Sequence, residues 1–106
     1  MSQRILYGTV NLNGSQHVPS LDYRVTPRGW GRYLIQFSQS FPSTPGASVS
    51  QNFPHWGDFN NNGGSTLDNA VIVALDKNQM LVKTGNNTGE GTDRNFSFLV
   101  IGPETI

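Results

Sequence analysis

A chain of 106 residues with no Cys, seven basic and seven acidic residues is expected to form one domain, residues 1–106, whose core needs no disulfide. The missing thiols exclude thiol catalysis and Cys-ligated metal sites, and the balanced charge offers no general attraction to nucleic acid or an anionic membrane. No apolar run nears the ~20 residues of a spanning helix. Residues 1–8, MSQRILYG, lack the apolar centre of a signal peptide. A soluble chain without a cleaved signal is therefore expected, acting alone, either cytoplasmic or released by a non-classical route.

Charged residues make up only 13%, against 12 Gly, 11 Asn, 10 Ser and 8 Thr. Good helix formers are scarce, and uncharged polar loops suit hydroxyl-rich ligands. In chain order, Leu6, Val10 and Leu12 point one way along a first strand, broken by Asn13–Gln16. Tyr23–Thr26 predicts a short second strand ending before Pro27. Tyr33, Ile35 and Phe37 alternate with Leu34 and Gln36 in a third. A turn region from Phe41 to Gly46 precedes a weaker strand over Ala47–Gln51. Ala70–Leu75 and Gln79–Thr84 predict a hairpin joined by Asp76-Lys77-Asn78, and Phe96–Ile101 the last strand. The expected fold is all-β, an antiparallel sandwich of about six to eight strands.

Two strands are apolar on both faces. If Val71, Val73 and Leu75 fill the core, Ala70, Ile72 and Ala74 face out. If Phe96, Phe98 and Val100 face in, Leu99 and Ile101 are left outside. Such faces suit burial against another subunit. The charges also separate: Arg4, Arg24, Arg28 and Arg32 precede residue 58, where Asp22 is the lone acid.

Long polar segments over Asn52–Asp68 and Gly85–Asp93 are where binding residues belong on a β scaffold. Arg28-Gly29-Trp30-Gly31-Arg32-Tyr33 exposes Trp30 between glycines, beside two cations. Such a ring stacks on a base or on the apolar face of a sugar. Pro54-His55-Trp56-Gly57-Asp58-Phe59 offers Trp56 for stacking and Asp58 to accept hydroxyl protons. Asn86, Asn87, Asp93 and Arg94 add hydrogen-bonding groups. Asp58, Asn60 and Asn62 open like a calcium loop, but its twelfth position is Asn69 instead of Glu. Neither His17 nor His55 sits in a nucleophile or zinc motif, so no enzymatic activity and no required cofactor are expected.

The strand Tyr33–Phe37 followed by Ser40-Phe41-Pro42 and Pro45–Val49, then Asp68–Leu75, Met80–Thr84 and Phe96–Ile101, resembles the H-type lectins over about residues 33–101. That resemblance implies a β-sandwich agglutinin forming trimers or stacked hexamers and binding N-acetylgalactosamine or related sugars near subunit boundaries. The family's strand Arg falls at about Ala70 here, and its aromatic and His pair at about Asn87-Thr88, so its sugar contacts do not carry over. The expectation is a carbohydrate-binding homo-oligomer that recognises glycans or glycoconjugates. Its contacts are Trp30, Trp56, Asp58, Asn86, Asn87, Asp93 and Arg94. The alternative is a structural or protein-receptor-binding trimer module, such as a phage-fibre tip or C1q-like domain. A third reading, single-stranded nucleic acid on Arg28, Trp30, Arg32 and Tyr33, is disfavoured by the neutral net charge.

Overall fold

A computed structural model describes residues 2–53 and 56–104. It is an all-β sandwich of seven antiparallel strands, within the expected six to eight. They are β1 (Gln3–Val10), β2 (Tyr23–Gly29), β3 (Arg32–Phe37), β4 (Gly46–Asn52), β5 (Asn69–Leu75), β6 (Gln79–Gly85) and β7 (Asn95–Pro103). One sheet has the order β1-β7-β4 and the other β2-β3-β6-β5. Among the described residues no helix is long and apolar enough to cross a membrane.

Period-two alternation builds the core. Tyr33, Ile35 and Phe37 of β3, Met80 and Val82 of β6, and Phe96, Phe98 and Val100 of β7 are buried together with Leu6, Val10, Tyr23 and Phe41. Edge-to-face packing of Tyr23 on Phe98, with centroids 4.9 Å apart, and of Phe37 on Phe41, at 5.4 Å, adds ~1 kcal/mol per pair beyond simple burial. Gly8 is required on β1, because a Cβ there would run into the Tyr23 ring.

Two strands depart from the sequence reading. β2 continues through Pro27 to Gly29, with a register shift between those two residues. Pro is tolerated because β2 is an edge strand and a bulge absorbs the missing donor. In β5 the expected phase holds at Ala74 and Leu75 but is reversed over Val71–Val73. Ile72 and Leu75 pack against the core, while Val71 and Val73 are exposed. A register irregularity between Ile72 and Ala74 lets two residues three apart face the same way. On β7, Leu99 and Ile101 do face out.

Strand polarity gathers three connections, β2–β3, β4–β5 and β6–β7, at one pole, and the β1–β2 connection leaves from it. Val10, Gly29, Asn52 and Gly85 end their strands there, and Arg32, Asn69 and Asn95 begin theirs. Side-chain hydrogen bonds, most of them between the sheets, tie this pole together. Gln51 Nε2 donates to the carbonyls of Asn69 and Gly85, both at 2.8 Å. The buried Tyr33 hydroxyl donates to the Leu12 carbonyl at 2.7 Å, and the buried Asn95 Oδ1 accepts the Leu12 N–H at 2.7 Å.

Candidate functional site

Trp30 sits at the tip of the β2–β3 hairpin with its side chain 81% exposed. Its φ is +59°, and both neighbours are also left-handed, Gly29 at +77° and Gly31 at +78°. A bulky L-residue pays steric strain of ~1–2 kcal/mol in this conformation. The turn is held from below. Gly31 N–H donates to Asp93 Oδ1 at 2.8 Å, and the Gly31 carbonyl accepts the Thr84 N–H at 2.8 Å. The fully buried Thr84 in turn donates its hydroxyl to the Thr92 carbonyl at 2.6 Å. A Cβ on Gly31 would strike the Thr84 carbonyl, and one on Gly91 the Trp30 carbonyl. The hairpin and the 86–94 turn are therefore locked to each other at glycine-only contacts.

A groove of about 370 Å³ lies beside this lock. Its lining includes Leu67, Asn69, Val71, Lys83 and Asn86, with glycines 85, 89 and 91. Asn86 Oδ1 shapes the turn by accepting from Thr88 N–H at 2.9 Å, Thr88 Oγ1 at 2.8 Å and Glu90 N–H at 3.1 Å. Asn69 Oδ1 accepts the Ala70 N–H at 2.8 Å. With both acceptor oxygens engaged, the two amide NH2 groups and the Lys83 ammonium remain as donors toward a ligand.

The other anticipated residues are distributed differently. Asp93 acts through Gly31. Arg94 is paired with Asp68 at 3.1 Å across part-buried side chains, an anchor between the 53–68 loop and β7. Asn87 is exposed on the turn. Trp56 stacks on His17 with centroids 4.6 Å apart and a 33° tilt. It follows the β4 edge of its sheet, while His17 bonds β1 at the other edge through Thr9. This stack places Trp56 against the segment that follows β1. Pro54 and His55 of the anticipated aromatic cluster lie outside the described residues. Trp30 and Trp56 share no ring contact among the described residues.

Asp58 Oδ1 accepts the Asn60 N–H at 3.2 Å, and Asn61 Oδ1 the Gly63 N–H at 2.6 Å. These are side-chain turns, and of Asp58, Asn60 and Asn62 only Asp58 carries charge. Among the described residues no three His, Asp or Glu side chains gather into a metal-holding group.

Sequence reasoning passed over Lys83 and Asn69. Their signal was present: Lys83 is the one cation of its strand, β6, and Asn69 opens the strand before it. What was missing was the β5–β6 register, Asn69 opposite Gly85, which makes them walls of one groove. No family model matches this chain, and neither a curated protein nor a solved structure matches it.

Proposed function

We propose that this protein is a non-enzymatic carbohydrate-binding module, a lectin, with Trp30 as its stacking platform. The observation that carries this reading is the Trp30 turn: a large ring held almost fully in water, on strained backbone, by a dedicated hydrogen-bond clamp. Strain of this kind is characteristic of functional positions, and an exposed indole offers a flat apolar surface to the C–H face of a sugar ring. The adjoining groove has a size suited to a mono- or disaccharide, with neutral amides as hydroxyl partners. Trp56, Asp58 and Asn87 serve as outer contacts on the neighbouring loops.

Multivalency is part of the proposal. Ile5 and Tyr7 on β1 stand opposite Ile101 and Leu99 on β7, all four exposed. The rest of that face, Thr9, Ser48, Ser50, Asn52 and Ser97, is uncharged. A flat apolar centre with a hydroxyl rim suits a second copy of the chain, and repeated weak sites then gain avidity. The same patch is what favours the alternative, a trimeric structural or protein-receptor-binding module.

The test is a glycan array with wild type and Trp30→Ala, run with and without calcium. Binding to a coherent set of glycans that is lost in Trp30→Ala and inhibited by millimolar free sugar supports the lectin. A blank array for wild type under both conditions transfers the assignment to the protein-binding module.

A further inference from the structure

We infer that the saccharide recognised is acidic: a polysaccharide bearing sulfate or carboxylate groups that runs from the groove across the outer face of the four-stranded sheet. This rests on the lectin reading and specifies its ligand class.

The warrant is the segregation of charge by the fold. Arg24, Arg32 and Lys83 alternate with the inward Tyr23, Tyr33, Val82 and Thr84, so they stand on the outer face of one sheet. Arg28 joins them, lining a cleft on that face with Leu34, Gln36, Leu81 and, at its far end, Asp76. Four of the seven cations thus share one face. Among the described residues none of the four has a carboxylate partner, the one ion pair being Arg94 with Asp68. The acid on this face is Asp76, whose Oδ1 accepts the Asn78 and Gln79 N–H groups at 2.7 and 3.0 Å in the far turn. Near the groove, Glu90 accepts from Thr88 Oγ1 at 3.3 Å and Asp93 from Gly31. The opposite sheet face carries no charge at its centre, so the asymmetry is a property of this side.

The cations are also continuous with the Trp30 site. Arg32 donates from Nε to the Gly29 carbonyl at 3.3 Å and from Nη2 to the Arg28 carbonyl at 3.1 Å. Its guanidinium is thereby fixed against the residues that lead into Trp30. Lys83 is the cross-strand partner of Arg32, and its Cε lies beside Gly91, whose backbone abuts the Trp30 carbonyl. Lys83 also lines the groove, beside the side-chain amides of Asn69 and Asn86, whose oxygens are engaged within the chain. Donors and unpaired cations around an aromatic ring match a sugar with anionic substituents better than a neutral one. A nucleic acid would meet the same charges, but four cations form a short track, and Trp30 is a lone platform where a single strand uses successive stacked bases.

The experiment measures binding of the full chain to a heparin oligosaccharide, a neutral dextran oligosaccharide and an oligothymidylate, at 50 and 200 mM salt. The expected result is heparin binding that weakens about 20-fold over that range, the slope of about three neutralised charges. Dextran binds at least tenfold more weakly. Arg32→Gln and Lys83→Gln each flatten the salt dependence by about one charge, and Lys77→Gln, in the far turn, leaves it unchanged. These exposed positions keep the fold intact, which circular dichroism checks. Dextran binding equal to heparin, with no salt dependence, overturns the acidic ligand and leaves the lectin standing. No binding to either saccharide at low salt, together with a blank glycan array, removes both. Oligothymidylate that binds as tightly as heparin also overturns the inference, by making the face a general polyanion surface.

Discussion

Replacing Trp30 by Gly and by Ala separates strain from recognition at the hairpin tip. Both substitutions remove a ring that is 81% exposed, so little packing is lost, and Trp30→Ala should stay within about 0.5 kcal/mol of wild type. Ala retains the left-handed strain at φ +59°, about 1–2 kcal/mol. Gly relieves it, at an unfolded-state entropy cost of ~0.5–1 kcal/mol. Trp30→Gly should therefore be more stable than Trp30→Ala by about 0.5–1 kcal/mol, or about 3–6 °C in Tm, while both fail to bind glycan. Urea unfolding followed by far-ultraviolet circular dichroism measures the first quantity, and the array or calorimetry the second. A loss above ~2 kcal/mol in Trp30→Ala would show that the ring packs structurally. Equal stability of the two variants would refute the strain, and undiminished binding in both would refute the platform.

Two buried tyrosines should respond in opposite directions to loss of the hydroxyl. Tyr33→Phe strands the Leu12 carbonyl and should destabilise by about 1–2 kcal/mol. Among the described residues Tyr23 Oη is buried without a hydrogen-bond partner, so Tyr23→Phe should be neutral or stabilising by up to ~1 kcal/mol in the same urea titration. Burial, with a contribution from Asp93, pushes the Tyr33 hydroxyl up to about 12. The unfolded chain then loses this proton first, so the contribution of Tyr33 to stability should be constant below pH ~10. Stability should fall as pH rises from there to about 12, with a shallower fall in Tyr33→Phe. Gly31→Ala combines a left-handed φ with a collision against the Thr84 carbonyl and should cost ~3 kcal/mol or more, measured as a loss of folded yield or a Tm drop above ~10 °C. Tyr7→Lys with Leu99→Lys should convert an oligomer to monomer in sedimentation velocity without lowering Tm by more than a few degrees. A wild type that sediments as a monomer at high micromolar concentration would refute the covered face.

Alternation and composition by themselves determined the all-β sandwich, its strand count and most of its core. Tyr33, Ile35, Phe37, Phe96, Phe98 and Val100 are legible because an inward residue every second position must be apolar. The exposure of Trp30 was legible too, since glycines on both sides leave nothing to cover it. Irregular backbone was not. The bulges in β2 and β5 shift the phase by one residue, which depends on the neighbouring strand and leaves no mark in a period-two pattern. Tertiary structure alone decided the roles of the polar residues. Asp93, Arg94 and Asn86 have the same chemistry whether they meet a sugar or a backbone N–H. Their partners Gly31, Asp68 and Glu90 are chosen by pairings 62, 26 and 4 residues apart. The groove and the cationic face likewise arise from strand register, because it is the β3–β6 and β5–β6 pairings that set Lys83 beside Arg32 and across from Val71.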